Sequence, residues 1–401
     1  MTRKYGNSTM AHAKMARNDE FYTQLTDIEQ ELVHYRNQFK GKVVYCNCDD
    51  PTESEFYRYF HLNFHFFGMK KLLATHYDEH EPTYALVYEG GTGEESDNDY
   101  NSYDKKIPLK ENGDFRSSES IEFLKQADMV VTNPPFSLFR EFVAQLVKYK
   151  KQFIIWGNLN SVITKEIFPL IQDQKIWIGF TANKSCVFRL ADNYKKWDKK
   201  ITAEYHDGHK YGKVPSITVF TNLPIKKPTD RVILWNHYSK KEFPTYVNYP
   251  AFECSKLAHL PIDKEIDTWI DKDRLSEFKT IYKDDIAVKE EKNNQALVHI
   301  KRPIFGVPIT FLKEYNPSST AFPKDNLAVQ FKIIGTDIKS IALKLGIKPM
   351  GKDFCDLYKR QGGRGHYTAS MHNLAYISAD GKAKKTFSRI LIRARTTDEI
   401  N

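Results

Sequence analysis

The sharpest chemical signal in the sequence is the tetrapeptide Asn133-Pro134-Pro135-Phe136, which follows the apolar run 129–132. Two adjacent prolines fix φ twice and stiffen the turn, so the Asn133 side-chain oxygen and the Pro134 carbonyl are predicted to point at one place. Both are hydrogen-bond acceptors. Two acceptors that grip both N–H bonds of an aromatic amine draw its nitrogen towards sp³ geometry. The freed lone pair can then attack a methyl sulfonium, which is catalysis by positioning and electrostatics.

Two features allow a different interpretation. The tetrapeptide alone is also consistent with a rigid loop turn, but its place between a buried strand and a helix favours catalysis, with Phe136 stacked on the reacting ring. Cys46 and Cys48 have the spacing of half a metal site. The sequence has no second paired cluster, so structural thiols are favoured and no metal is expected.

Apolar runs that alternate with helix-like segments predict the elements that position these residues. Strands are predicted at residues 42–46, 71–76, 128–132, 151–156, 176–180 and 216–220, and helices at 26–38, 53–67, 121–125, 137–148 and 164–173. Thr26 or Asp27 is the predicted cap of the first helix. Residues 89–112 are predicted to form an exposed loop or a small hairpin.

This alternation predicts an α/β fold. It indicates βαβ units, a mostly parallel sheet and helices on both faces. Polar residues cluster just after the carboxyl ends of the predicted strands, where open α/β sheets bind their ligands.

The character of the sequence changes near residue 226. Residues 226–231 resemble a linker, and residues 231–300 mix Tyr, Trp and Asn with many lysines without βα alternation. Residues 301–401 carry short strands, a glycine-rich loop at 360–365 and a final strand at 387–393. The predicted division is therefore 1–225, 226–300 and 301–401.

Bulk composition limits the classes of protein. The chain has 401 residues, 41% of them hydrophobic, which suits a packed core and two or three domains. A net charge of +9 favours a polyanionic partner, with nucleic acid ahead of an anionic membrane. Five cysteines without framework spacing favour a reducing cytosol. No apolar run reaches the ~20 residues of a membrane span, and residues 1–18 are predicted to be a basic tail without a secretory signal.

Several segments, in order along most of the chain, resemble the EcoRI-type adenine-specific (N6) DNA methyltransferases. They are Asp19–Gln24, Val43–Pro51, Asp114–Ile121, Val130–Phe139, Phe305–Leu312 and Arg389–Ile392. The usual glycine loop after the first strand is replaced by Cys46–Pro51, a departure that this family shares. Residues 262–300 fit the family pattern poorly.

The resemblance implies a Rossmann-like sheet that binds S-adenosylmethionine (SAM) in residues 1–225, which include the N-terminal tail. It implies a smaller target-recognition region at 226–300 and a C-terminal region, 301–401, that completes the fold and is a candidate DNA contact. The implied reaction transfers a methyl group from SAM to N6 of an adenine flipped out of double-stranded DNA and releases S-adenosylhomocysteine, without a metal. Protection of DNA in a restriction-modification system is the implied role, beside a separate cognate endonuclease, in a bacterial cytosol or nucleoid or from a phage.

The resemblance also assigns residues to the site. Asn133, Pro134, Pro135 and Phe136 are the implied catalytic residues. Phe21, Tyr22 and Thr23 match the segment that helps hold SAM; the alternative is the start of a helix.

The remaining cofactor residues follow the predicted strands. Asp49 and Asp50 either bind the ammonium group of SAM or cap the next helix. Asp78 or Glu79 is the implied ligand of the ribose hydroxyls, or a solvated acid. Asp114 matches the position that contacts the SAM adenine amine, with Phe115 lining that pocket.

The resemblance places DNA recognition in residues 226–300. Lys240 and Lys241 are candidates for phosphate contacts, which position without specifying. Asn236, His237 and Asn248 are candidates for reading base edges, and none is singled out. The loop at 360–365 either follows a phosphate backbone or is a plain surface loop.

Two rival functions use the same residues. RNA and protein-glutamine methyltransferases also place Asn-Pro-Pro-aromatic after this strand, but the basic C-terminal half and the flanking segments disfavour them. A DNA-binding protein without catalysis is disfavoured by the intact run Asn133–Phe136.

Overall fold

The structure is a computed structural model that describes residues 21–48, 50–91, 104–182, 184–190, 203–206, 208–320, 324–364 and 368–400. The chain divides into two compact units. Unit 1 comprises Met1–Ser161 and Ile176–Lys227, and unit 2 comprises Val162–Lys175 and Pro228–Asn401.

Within the described residues, unit 1 is built on a sheet of eleven strands. In chain order they are β1 (Phe21–Thr23), β2 (Val43–Cys46), β3 (Lys71–Thr75), β4 (Tyr84–Tyr88), β5 (Lys105–Pro108), β6 (Met129–Thr132), β7 (Gln152–Asn158), β8 (Trp177–Ile178), β9 (Lys184–Leu190), β10 (Ala203–His206) and β11 (His209–Thr221). Their spatial order is β1-β9-β11-β7-β6-β2-β3-β4-β5, and β8 and β10 also pair with β11.

Four parallel strands, β3, β2, β6 and β7, form the centre of this sheet. Every residue of β2 and β6 is buried, as expected for short apolar runs in a sheet that is covered on both faces. The chain runs from β2 to β3 on one side and later returns to β6 on the other side of β2. A topological switch point therefore lies between the carboxyl ends of β2 and β6, which is where open α/β sheets bind ligands.

Helices cover both faces of the parallel strands. The helices of unit 1 are Leu25–Leu32, Glu55–Leu62, Phe64–Phe67, Ser118–Gln126 and Phe139–Lys148, with a 3-10 helix at Val33–Gln38. A further 3-10 helix, Leu159–Ile163, follows β7 and includes the first two residues of unit 2. On one face, Phe56 packs its ring 4.9 Å from Trp156 of β7. On the other, the Tyr45 hydroxyl of β2 donates to the Ser120 carbonyl at 3.4 Å. The predicted α/β, Rossmann-like fold class is confirmed.

The sheet is less parallel than the sequence predicts. β4 and β5 add to the β3 edge as an antiparallel pair, so part of segment 89–112, predicted to be an exposed loop or a small hairpin, is a strand. On the other side, β11 pairs antiparallel with β7, and Ile217 of β11 lies opposite Asn158, the last residue of β7. The part of β11 before Ile217 therefore extends beyond the carboxyl end of β7. There it pairs with β9, which in turn pairs with β1. We call β1, β9, β10 and β11 the antiparallel flap.

Several predicted boundaries in units 1 and 2 are wrong in detail. The first helix is α-helical only over Leu25–Leu32, and its N-cap is Gln24 without a side-chain bond, so neither Thr26 nor Asp27 caps it. Because the helix begins at Leu25, Asp27 lies in the first turn, where its negative charge interacts favourably with the helix dipole. The predicted helix 164–173 shrinks to Phe168–Gln172, with a proline in its first turn.

Unit 2 contains shorter strands and helices. Its strands are β12 (Phe252–Glu253), β13 (Ile266–Asp271), β14 (Ile286–Lys292), β15 (Gln295–Ile300), β16 (Ile304–Pro308), β17 (Phe331–Thr336), β18 (Ala375–Ile377), β19 (Ala383–Lys385) and β20 (Arg389–Ala394). They form the sheets β12-β16-β20-β17 and β13-β15-β14 and the hairpin β18-β19. Its helices are Phe168–Gln172, Leu275–Tyr282, Leu327–Gln330, Lys339–Leu345, Lys352–Arg360 and Thr397–Ile400. Its 3-10 helices are Pro228–Asp230, Leu257–His259, Lys272–Arg274, Lys283–Asp285 and Ile309–Lys313.

A buried ion pair joins strands of unit 2. The Arg389 guanidinium at the start of β20 lies 2.7 Å from the Glu253 carboxylate of β12, and both side chains are almost fully enclosed. The Tyr246 hydroxyl donates to the same carboxylate. Both residues 228–300 and residues 301–401 belong to unit 2, while the predicted functional division at 226 and 301 stays a prediction.

The helices of the described residues do not include one that is long and apolar enough to cross a lipid bilayer.

Candidate active site

The tetrapeptide Asn133–Phe136 lies directly after the carboxyl end of β6, at the switch point. Asn133 is buried, and Phe136 is half-buried. The Pro135 carbonyl accepts a hydrogen bond from Leu138 N at 2.9 Å, which turns the chain into the helix that begins at Phe139. The sequence therefore folds here as predicted, as a strand, a stiff bend and a helix.

Phe136 connects this bend to the antiparallel flap. Its ring meets the ring of Phe188 of β9 edge-on, with centroids 6.3 Å apart. Phe188 lies opposite Thr23 in the pairing of β9 with β1. The structure thus places the predicted segment Phe21–Thr23 at the same end of the sheet as Asn133, the end at which the parallel strands have their carboxyl termini.

The side chains of β1 point in different directions. Thr23 is buried, and within the described part of the chain its Oγ1 has no hydrogen-bond partner. Tyr22 lies beneath the Arg189 guanidinium, 4.7 Å from the ring centroid, and Arg189 is ion-paired with Glu53. Arg189 was not predicted, because the strand that carries it was not recognised from the sequence.

The loop after β2 contributes polar groups at the switch point. Asn47 is buried, and its Nδ2 has no hydrogen-bond partner among the described residues. Asp49 lies outside the described residues. Asp50 accepts from Thr52 N at 2.9 Å and from the Thr52 hydroxyl at 2.7 Å, and lies 3.4 Å from His76 Nε2. Asp50 therefore orders this loop rather than capping the next helix, whose N-cap is Ser54.

The acids after β3 make local contacts. Asp78 Oδ1 accepts from His80 N at 2.6 Å and from Glu81 N at 3.0 Å, which closes a turn. Glu79 is exposed and accepts from the Tyr77 hydroxyl at 2.9 Å. These contacts are local to the loop, and the predicted ribose role stays a prediction.

Asp114 is held by a bidentate pair with Arg116. Asp114 Oδ1 accepts from Arg116 Nε at 2.8 Å, and Oδ2 lies 2.6 Å from Nη2. Partial burial of Asp114 opposes ionisation, but the hydrogen bonds and charge of Arg116 outweigh it, so the pKa of Asp114 lies below its usual value. Arg116 was not predicted as a site residue, although an arginine two residues after a candidate acid is a signal that the sequence offers.

A glycine brings the loops of Asp78 and Asp114 together. Gly113 has a φ of +72°, and a Cβ built on it would lie 1.9 Å from the His76 carbonyl oxygen. Asp78 N also donates to the Asn112 carbonyl at 3.1 Å. Residues 76–78 and 112–114 therefore pack backbone against backbone, as a shared wall for one ligand requires.

Phe115 faces the core more than a pocket. It is buried, and its ring lies 5.1 Å from Phe142 of the helix Phe139–Lys148. Its backbone carbonyl accepts from Gln145 Nε2 at 2.9 Å. Its predicted contact with the cofactor remains a prediction.

Unit 1 has a polar cavity of about 430 Å³ beside β1, a volume within the usual range for small-molecule sites. Its lining consists of Tyr22, Gln24, Thr52, Glu53, Ser54, Glu55, Arg58, Arg189, His209 and Tyr211. It therefore adjoins the Phe21–Thr23 segment and the loop after β2.

The cysteines and acids of the described residues do not cluster as a metal centre does. All five cysteines are free thiols, and all but Cys48 are buried.

The base-reading candidates of unit 2 are unequal. Asn248 is buried, its amide donates to the Lys348 and Asn373 carbonyls, and its oxygen accepts from Ala375 N. It holds backbone segments together, so its prediction as a base reader is wrong. Asn236 is half-buried, and its side-chain amide donates to the His259 carbonyl. His237 is exposed, and its ring nitrogen lies 3.0 Å from an Asp263 carboxylate oxygen.

Comparison with known proteins gives consistent matches. Residues 9–302 match the sequence profile of the family described as adenine-specific methyltransferase EcoRI. The chain is 34% identical to the Type II methyltransferase M.EcoRI of Escherichia coli over 363 residues, which cover 87% of this chain and 98% of that protein. It is 39% identical to M.MpnI of Mycoplasma pneumoniae over 254 residues, 63% of this chain and 76% of that protein. It is 32% identical to M.MgeORF184P of Mycoplasma genitalium over 308 residues, 76% of this chain and 82% of that protein. No solved structure matches the chain.

Proposed function

Since the chain belongs to the family of EcoRI adenine-specific methyltransferases, we propose that it transfers a methyl group from SAM to N6 of an adenine flipped out of double-stranded DNA. By its family the chain is a DNA methyltransferase. The proposal adds the cofactor, the reacting atom and base flipping. The observation that carries it is the rigid bend Asn133–Phe136, which bears two acceptor oxygens at the switch point between β2 and β6.

The groups around the bend fit SAM. Asn47 Nδ2 and Thr23 Oγ1, buried donors that lack a partner among the described residues, suit its carboxylate. Asp50 supplies an anion for its ammonium group. When bound, SAM supplies an electrophilic methyl group on a sulfonium.

The adenosine part of SAM fits the wall formed by residues 76–78 and 112–114. Asp78 or Glu79 accepts from the ribose hydroxyls, and Asp114 accepts from the adenine amine. Arg116 keeps Asp114 ionised and oriented. Phe115 supports this loop from the core, while Phe21 and Tyr22 hold Thr23 in the flap.

The catalytic residues act on the target adenine. Asn133 Oδ1 and the Pro134 carbonyl accept hydrogen bonds from the two N–H groups of N6, which localises the nitrogen lone pair for attack on the methyl group of SAM. The same oxygens stabilise the positive charge that develops on the nitrogen until it releases a proton to solvent. Pro134 and Pro135 keep both oxygens in place. Phe136, supported by Phe188, stacks on the flipped base.

The same chemistry supports a protective role. Methylation of a target site blocks a cognate restriction endonuclease that acts separately on that site. We therefore propose that this chain is the modification enzyme of a restriction-modification system.

The direct test is to identify the methylated product. Purified chain is incubated with SAM carrying a tritiated methyl group and with DNA, RNA or protein as acceptor. The DNA is then digested to nucleosides and separated by chromatography. The proposal expects label in DNA alone, as N6-methyladenine.

The matched control for a substitution of Asn133 replaces an amide residue that lies before the other end of β6. Gln126 is exposed at the end of the helix Ser118–Gln126, and its Nε2 donates to the Glu122 carbonyl. Gln126→Ala is expected to methylate at the wild-type rate. Label in RNA, in protein or in a base other than adenine would refute the proposal.

A further inference from the structure

Unit 2 contains an open cavity of about 490 Å³ that the methyl transfer in unit 1 does not use. Three cationic side chains line it, Lys240, Lys241 and Arg274, against one acid, Asp271. Its other wall is apolar and includes Trp269 and Ile377. The lining therefore combines an excess of positive charge with an aromatic surface.

Lys240 is held in place at this cavity. Its Nζ donates to the Trp269 carbonyl at 2.7 Å, and its side chain is exposed. An ammonium group has three N–H donors, so two donors remain available to an anion. The fixed position reduces the side-chain entropy that binding would otherwise cost.

Arg274 shares its acidic partner with a second cation. Its Nε lies 3.5 Å from a Glu277 carboxylate oxygen, and Glu277 is also paired with Lys348. One acid therefore serves two cations. The Arg274 side chain is partly exposed where it lines the cavity, so the cavity keeps an excess of positive charge that a bound anion offsets.

From this geometry we propose that the cavity binds a segment of the DNA backbone. Lys240, Lys241 and Arg274 contact one phosphate, and the adjoining sugar packs against Trp269 and Ile377. A phosphate ion alone leaves most of the cavity unfilled and leaves its apolar wall without a partner. The inference rests on the proposed function only in taking DNA as the partner. The contact positions DNA without reading its sequence.

The test measures DNA affinity against salt concentration. A short duplex of random sequence is the probe, so the recognition site need not be known. Losing one phosphate contact lowers the slope of log affinity against log salt by about 0.9 and weakens binding about fivefold to tenfold near 0.1 M salt. We expect the full loss when Lys240→Gln, Lys241→Gln and Arg274→Gln are combined, and a part of it for the two lysine substitutions together and for Arg274→Gln alone. Trp269→Ala is expected to weaken binding with the slope unchanged.

The controls separate this proposal from folding defects and from the proposed function. Lys344→Gln removes an exposed lysine from the helix Lys339–Leu345 of the same unit, and its slope is expected to stay at the wild-type value. Because Lys240 and Lys241 are exposed, their variant keeps the test valid if Arg274→Gln unfolds. An unchanged slope in the lysine variant, or an equal loss in Lys344→Gln, overturns the cavity proposal. Failure of the proposed function has a different readout, the absence of N6-methyladenine from wild-type reactions.

Discussion

At the scale of single residues, the acids of unit 1 differ from Asn133 in the contacts that hold their side chains. Asp114 is committed to Arg116 through both oxygens, and Asp78 closes a turn. Asn133 instead stands at the end of a buried strand with a stiff backbone after it. We therefore propose that Asn133 holds the reacting amine and that the acids act on the cofactor.

Phe136 gives a prediction at this scale. Phe136→Ala removes the ring that we propose stacks on the flipped base, and one base–aromatic stack is worth about 1–3 kcal/mol. We expect kcat/KM for DNA to fall by about tenfold to a hundredfold, with SAM affinity retained. Phe136→Tyr keeps a stacking ring and is the matched control. A loss in Phe136→Tyr as large as in Phe136→Ala would show that stacking is not the role of this side chain.

At the scale of elements, local pattern predicts what local interactions determine. The buried runs that became β2, β3, β6 and β7 were predicted within about two residues. The bend at Asn133 was predicted from its two prolines. β4 and β9 were missed, because their positions depend on antiparallel partners far away in the sequence. The contact between Phe136 and Phe188 was invisible for the same reason.

The packing of residues 76–78 on 112–114 gives the second prediction. A side chain at Gly113 would meet the His76 carbonyl oxygen, so Gly113→Ala is expected to separate the two loops and weaken SAM binding at least tenfold. Calorimetric titration with SAM measures this. Gly41→Ala is the matched control, since Gly41 has a φ of +70° but nothing within 4 Å of its Cβ position. It shares the backbone strain without the clash, and equal SAM affinities in the two variants would contradict the shared wall.

At the scale of the molecule, the two units contribute different parts of the proposed function. Unit 1 holds the bend and the groups that fit SAM. Unit 2 holds the cationic cavity and a core with buried charges, in which the Asp337 carboxylate accepts from Leu374 N and Arg389 N. The net charge of +9 predicts that DNA affinity falls steeply with salt. A flat response would argue against duplex DNA as the partner.

Asp337 makes the stability of unit 2 depend on pH. Burial, partly offset by hydrogen bonds from Arg389 and Leu374, raises its pKa from 3.8 to about 6. Below pH of about 4 the carboxyl is protonated in both the folded and the unfolded chain. Between about 4 and 6 only the unfolded chain has released the proton, so the free energy of unfolding falls as pH rises, by on the order of 3 kcal/mol.

The measurement compares wild type with Asp337→Asn by urea unfolding at several pH values. The variant has no proton to release at this position. Its stability relative to wild type is therefore expected to rise between pH of about 4 and 6 and to level off above. A relative stability that is constant with pH would show that Asp337 does not titrate in this way.

The central proposal is that Asn133 accepts a hydrogen bond from the amine that receives the methyl group. Its most direct test is the single-turnover rate of label transfer from SAM to DNA by the Asn133→Ala variant. Removing one preorganised polar group from a transition state costs about a hundredfold to a thousandfold in rate. We expect a loss of at least that size, with SAM affinity and thermal midpoint near the wild-type values. Transfer within about tenfold of wild type, in a variant that still binds SAM and DNA, would contradict it.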